Sequence, residues 1–257
     1  MTYSPVHTTH YRNHMKTVLI DGDEVAYKAA FVSEIPIKWD ADTWTLHSSE
    51  RDMGDSIDTL IEQALKDAQC DTTYVALSGG NNFRLDVYPD YKANRVGKRK
   101  PLGLKFCRQY LIENYDADIT ETLEADDLLA IRAVEDKDTV IWSVDKDFLT
   151  VPCNLFREGS VQVITEEDAD YWLKYQTMVG DVADNFKGAV GFGPKKTTKW
   201  LKDKGATWKS VLEAFLSAGQ TEKDCTTNAI LARILHTHEE KLNWKPNYEN
   251  LTTSNTT

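Results

Sequence analysis

The apolar positions of this chain fall into short uninterrupted runs alternating with stretches of helical spacing. In "KTVLIDGDEVAYKAAF" the run before Asp21 predicts a buried strand over 17–21, then a turn and a helix from about Asp23. A loop holding Trp39 and Trp44 leads to a helix over roughly 53–70, where Ile57, Leu60, Ile61, Ala64 and Leu65 share one face. "TTYVALSGG" reads as a second strand stopped by glycines, residues 101–114 and 124–136 as helices, and "DTVIWSVDKD" as a third strand. Beyond about residue 165 the spacing is helical until the polar tail "NLTTSNTT", whose Asn-X-Thr triplets read as chance matches. This order predicts an α/β fold: a mostly parallel central sheet flanked by helices, with a helical extension. No internal repeat is visible.

Composition narrows the class without naming a chemistry. The chain of 257 residues is 41% hydrophobic and 28% charged, enough for one large domain or a domain with a small appendage. A net charge of −11 argues against simple coating of nucleic acid, unless acids and bases are segregated. Cys70, Cys107, Cys153 and Cys225 form no CxxC pair and read as reduced thiols, not a disulfide framework or zinc site. No apolar run reaches membrane-spanning length and no signal-peptide hydrophobic region is visible, so no membrane partner and a cytoplasmic location are expected. His7, His10 and His14 would share a helix face suited to a metal, or lie in a terminal tail, which is the simpler reading.

The charges are indeed segregated. Asp21 ends the first strand, and Asp145 and Asp147 follow the third. Ligands of open parallel sheets bind outside the carboxyl ends of strands, so these three are expected on one edge. "TLEADDLLAIRA" adds Glu124, Asp126 and Asp127 at a helix start, and "GDVADNFKGAVGFGPKK" (180–196) adds Asp181 and Asp184. Each cluster alone reads as a turn, or as capping and macrodipole stabilisation worth ~0.3–1 kcal/mol per charge. In one pocket, however, up to eight carboxylates cannot all stay ionised without counter-charge. Hard divalent cations supply it, and without a His–Cys set Mg²⁺ or Mn²⁺ is expected over Zn²⁺. Two such ions suit an in-line phosphoryl displacement.

Basic residues gather elsewhere. "KANRVGKRKPLGLKFCR", from Lys92 to Arg108, holds seven Lys or Arg and no acid, and six lysines between Lys187 and Lys204 face Asp203 alone. Each run by itself reads equally well as a solvated face. Flanking an acidic pocket, they favour a polyanionic substrate.

The ordered motifs "IDGD", "YPDYKANR", "LEADDLLA", "SVDKDF" and "GDVADNFKGAVGFGPKK" resemble the 5′-nuclease (flap endonuclease) family, in particular phage 5′→3′ exonucleases, over roughly residues 17–205. The resemblance implies a nuclease core over 16–177 with a helical arch near 89–108, and a helix–three-turn–helix duplex-binding region over 178–245. It implies two Mg²⁺ ions, replaceable by Mn²⁺, one held by Asp21, Glu124, Asp126 and Asp127, the other by Asp145, Asp147, Asp181 and Asp184. Lys92 and Arg95 would contact the scissile phosphate. Tyr91 would stack on a terminal base or pack within the arch, and Lys98, Arg99 and Lys100 would meet DNA. Gly188, Gly191 and Gly193 would bring backbone N–H groups to a phosphate, with Lys195, Lys196 and Lys199 adding charge. Implied partners are double-stranded DNA with 5′ ends, gaps or flaps, RNA–DNA hybrid, and replication proteins. The implied setting is phage DNA replication or recombination in the host cytoplasm.

One departure stands out. Many family members carry a further aspartate after the second strand, where this chain reads Ser78, Gly79 and Gly80. Water or Asp23 would have to compensate, while Asp86 and Asp90 are expected to face solvent. Two rival readings remain: a PIN-type ribonuclease, which would not need "GAVGFGPKK", and a non-catalytic DNA-binding module, which would not need the carboxylates.

Overall fold

The computed structural model describes residues 16–249, so His7, His10, His14 and the tail from Asn250 lie outside the described residues. The first strand, β1 (Thr17–Asp21), carries Val18, Leu19 and Ile20 fully buried, as an apolar run covered on both faces must be. Asp21 caps α1 (Gly22–Val32), its carboxylate accepting the Asp23 and Glu24 amides at 2.8 and 3.2 Å. The segment expected as a loop around the two tryptophans is an exposed hairpin, β2 (Ile35–Lys38) with β3 (Trp44–His47). Helix α2 (Glu50–Ala68) follows, capped by Ser49, and β4 (Thr72–Leu77) returns to the sheet.

After a short α3 (Arg84–Val87), the expected helical arch proves to be turns with one 3₁₀ turn over Ala93–Arg95. Helix α4 (Leu104–Tyr115) starts only after Gly103, whose φ of 73° ends the turns. The chain continues through β5 (Asp118–Ile119), α5 (Ala125–Glu135), β6 (Thr139–Trp142), and an antiparallel pair, β7 (Asn154–Arg157) with β8 (Ser160–Val163). The sheet order is β5-β4-β1-β6-β7-β8, parallel except for that last pair. One core, around Leu129, Ile141, Phe148 and Leu155, lies on one side of it; another, around Val25, Ile57, Ile61 and Leu111, lies on the other.

The remainder is helical, as the spacing predicts: α6 (Glu166–Val179), α7 (Pro194–Lys204), α8 (Trp208–Ser217), α9 (Glu222–Ala232) and a short α10 (Glu240–Asn243). Met178, Phe192, Leu201, Val211 and Phe215 give these helices their own buried cluster. The loop 180–193 between α6 and α7 supplies the expected turn between helices. Among the described residues no helix is long and apolar enough to cross a membrane.

Candidate active site

The carboxyl ends of β1, β4 and β6 open into a cavity of about 1250 Å³. Seven of the eight expected carboxylates line it: Asp21, Glu124, Asp126, Asp145, Asp147, Asp181 and Asp184. Capping and chemistry are here one arrangement. Glu124 is the N-cap of α5, and Asp145 accepts the Asp147 amide at 2.9 Å to start a 3₁₀ turn over Lys146–Thr150. Asp181 accepts the Ala183 amide at 2.6 Å, and reciprocal backbone bonds between Asp181 and Phe186 close the loop. Each local bond fixes a carboxylate's direction, and sheet topology then gathers them at one edge.

Their electrostatics divide them. Burial, then repulsion from Glu24 and Asp145, pushes Asp21 up to about 7 despite its backbone hydrogen bonds. Burial and the charge of Asp145 push Asp147 up to about 6. Asp126 is raised well above the usual carboxylate range by burial and by Asp21 and Asp145. Glu124 goes the other way: burial would raise it, but Arg84 and Lys92 hold it down. Asp181 is likewise held low, its burial outweighed by Lys146. So the cavity contains paired carboxylates beside crowded, cation-poor ones.

Within it Asp21, Asp126 and Asp147, raised by burial and by neighbouring carboxylates, offer oxygen donors that fit hard divalent cations. Among the described residues no three His, Cys, Asp or Glu side chains are arranged to hold one ion by themselves. Two lysines explain part of this: Lys92 pairs with Glu124 and stands 3.7 Å from Asp184, and Lys146 pairs with Asp181 and stands 3.4 Å from Asp147. Cations held here would contest both lysines and complete their coordination with water.

Lys92 and Arg95 reach the cavity as expected. Arg95 donates to Asp184 at 2.7 Å, and the Lys92 amide donates to the Asp184 carbonyl oxygen at 3.0 Å. Lys98 and Lys100 sit exposed on its rim. Arg99 also lines the rim, but its guanidinium is engaged, donating to both oxygens of Glu34 at 2.6 and 2.8 Å.

Three expectations need correction. Asp127 is buried away from the cavity, paired with Arg84 and accepting the Leu235 amide at 3.0 Å. Tyr91 is not displayed for base stacking: it is 4% exposed, and packing wins because its ring lies among Leu173, Phe186, Leu231 and Ala232. Gly188 keeps its amide for Asn228 at 2.9 Å; with φ 65°, a Cβ there would stand 2.5 Å from the Gly180 nitrogen, so glycine is needed for close packing. Gly191 and Gly193, by contrast, stand in open space at the N-terminus of α7, followed by exposed Lys195, Lys196 and Lys199. Lys199 pairs with Asp203 at 2.5 Å, and Lys196 lies over the Phe192 ring at 3.8 Å.

After β4, Ser78 caps α5 by accepting the Ala125 amide at 3.0 Å. Gly79 passes so near residue 121 that a Cβ would stand 2.7 Å from the Glu121 oxygen, which leaves no room for a carboxylate side chain there. Asp23 does line the cavity, but it pairs with Arg108 and accepts the Ser78 amide at 2.8 Å. Asp86 and Asp90 are exposed, as expected. Sequence reasoning missed Arg84, Lys146 and Arg108 as site residues. A lysine between two site aspartates in "VDKDF" was the available signal for Lys146.

Comparison with known proteins identifies the family. Residues 16–178 match the family model of the 5′-3′ exonuclease N-terminal resolvase-like domain. The exonuclease of Escherichia phage T7 is 29% identical, with 86% of this chain and 89% of that protein covered. The exodeoxyribonuclease of Enterobacteria phage T3 is 28% identical, covering 86% and 88%. In fold the chain is similar to the phage T5 D15 protein, a structure co-crystallised with metal ions: TM-score 0.62, 18% identity, 84% of this chain and 88% of that one. With the model spanning most of the α/β core, the chain belongs to the 5′-3′ exonuclease family and, with it, to the nucleases.

Proposed function

We propose that this protein is a divalent-cation-dependent 5′→3′ exonuclease and flap endonuclease, hydrolysing phosphodiesters of duplex DNA at 5′ ends, gaps and flaps in phage DNA replication or recombination. RNA–DNA hybrid is a further substrate of this reading, replication proteins are its partners, and the host cytoplasm is its setting. The observation that carries it is the meeting of seven carboxylates with Lys92 and Arg95 in one cavity. A DNA-binding module without catalysis would have no use for crowded, partly neutralised acids, and a PIN-type ribonuclease would have none for the open glycines before α7.

Asp21, Glu124 and Asp126 would hold one Mg²⁺, and Asp145, Asp147, Asp181 and Asp184 the second, with Mn²⁺ as a substitute; Asp127 supports them from behind. Such ions supply Lewis-acid charge at the attacking and leaving oxygens. Lys92 and Arg95, now engaged by Glu124 and Asp184, supply positive charge for the scissile phosphate as its charge develops. Gly191, Gly193 and the lysines of α7 grip the duplex backbone away from the chemistry, which positions the substrate without reading its bases.

Asp145→Asn and Asp181→Asn test this reading. Each should lower turnover by orders of magnitude while duplex binding is kept or tightened, because an acid that repels phosphate has been neutralised. Wild-type turnover in either variant would remove that residue from the site.

A further inference from the structure

We propose that Tyr91 is a positioning residue: its buried hydroxyl fixes Glu124 and Asp184, one from each carboxylate cluster, relative to one another and so sets divalent-ion affinity. The Tyr91 oxygen stands 3.0 Å from Glu124 Oε2 and 3.0 Å from Asp184 Oδ2. Two oxygens bonded to one atom can be no further apart than twice that length. The phenol has a single proton, which it shares between the two carboxylates or passes from one to the other, and either needs both oxygens within reach of the one hydroxyl.

The backbone supports the same arrangement. Lys92 has a φ of 56°, a left-handed conformation that costs a non-glycine residue about 1 kcal/mol. It lets neighbouring side chains, which an extended strand would send to opposite sides, converge on the same two carboxylates. Meanwhile the Tyr91 ring is anchored against α6 and α9 through Leu173 and Leu231. The residue thus ties the helical region to two carboxylates of the cavity wall, a placement that hydrophobic packing alone does not require.

This inference rests on the cation-dependent reading of the site, and the experiment separates the two. Tyr91→Phe keeps the ring and removes the hydroxyl. It should retain its fold by circular dichroism and bind duplex with parental KM, yet bind Mn²⁺ about tenfold more weakly by electron paramagnetic resonance titration and lose kcat in proportion. Combined with Asp184→Asn it should add little further loss, because the hydroxyl acts through that carboxylate. Parental Mn²⁺ affinity in Tyr91→Phe, or losses that add in the double variant, would overturn the proposal. Asp145→Asn serves as control: if it too keeps parental Mn²⁺ affinity and turnover, the cation reading falls and this inference with it, whereas a loss there alone condemns only the role of Tyr91.

Discussion

Asp127 accepts the two terminal nitrogens of Arg84 at 2.8 Å, one on each carboxylate oxygen, and the pair is almost completely buried. The same guanidinium donates to the Arg233 carbonyl at 2.6 Å and stands 3.3 Å from Glu124. The pair therefore clamps α3, α5 and the end of α9 beneath the cavity floor. Removing one partner of such a pair leaves an uncompensated buried charge, which costs about 3–5 kcal/mol. Asp127→Asn should accordingly lose about that much stability in chemical denaturation, while Mn²⁺ affinity of the folded protein falls far less than in Asp145→Asn. A variant of parental stability with abolished ion binding would restore Asp127 to the metal ligands.

The two basic segments should separate kinetically. Lys92 lies among the carboxylates, whereas Lys195 and Lys196 are exposed on α7. Lys92→Ala should lower kcat strongly with little change in KM. Lys195→Ala combined with Lys196→Ala should chiefly raise KM, flatten the dependence of log K on log salt, and weaken binding to duplexes of every sequence alike. The same kinetic defect in both variants would mean that one continuous groove serves grip and chemistry.

Ion affinity should depend on pH in a definite direction. Asp21, pushed up to about 7, and Asp147, pushed up to about 6, carry protons in the ion-free protein that a cation must displace. Since each is raised above the ordinary carboxylate value, affinity should climb as pH rises from about 5 through about 7 and level off only above the value of Asp21. Calorimetric titration in buffers of different ionisation heat should detect proton release below the plateau. Affinity independent of pH over that range would contradict this.

Much of the fold was legible because continuous apolar runs such as Val18–Ile20 admit one reading once both faces must be covered. The hairpin around Trp39 and Trp44 was not, since its residues are exposed and bear no buried alternation. At the site, sequence placed the acids at strand and helix ends but gave no means to rank Asp126 against Asp127. Neighbours on a helix point about 100° apart, and which one faces the cavity is decided by Arg84, more than forty residues away in sequence. Tyr91 posed the same difficulty: "YKANR" marks a basic segment, while the burial of its tyrosine depends on α6 and α9.

Cation-dependent hydrolysis from 5′ ends is read out by incubating the protein with 5′-labelled blunt, gapped and flapped duplexes, with and without Mg²⁺, and measuring the lengths of labelled product. Short labelled fragments should be released from the 5′ end, dependent on Mg²⁺, supported by Mn²⁺, abolished by chelation and absent with Asp145→Asn. Cleavage that persists in excess chelator, or label retained on strands shortened from the 3′ end, would contradict it.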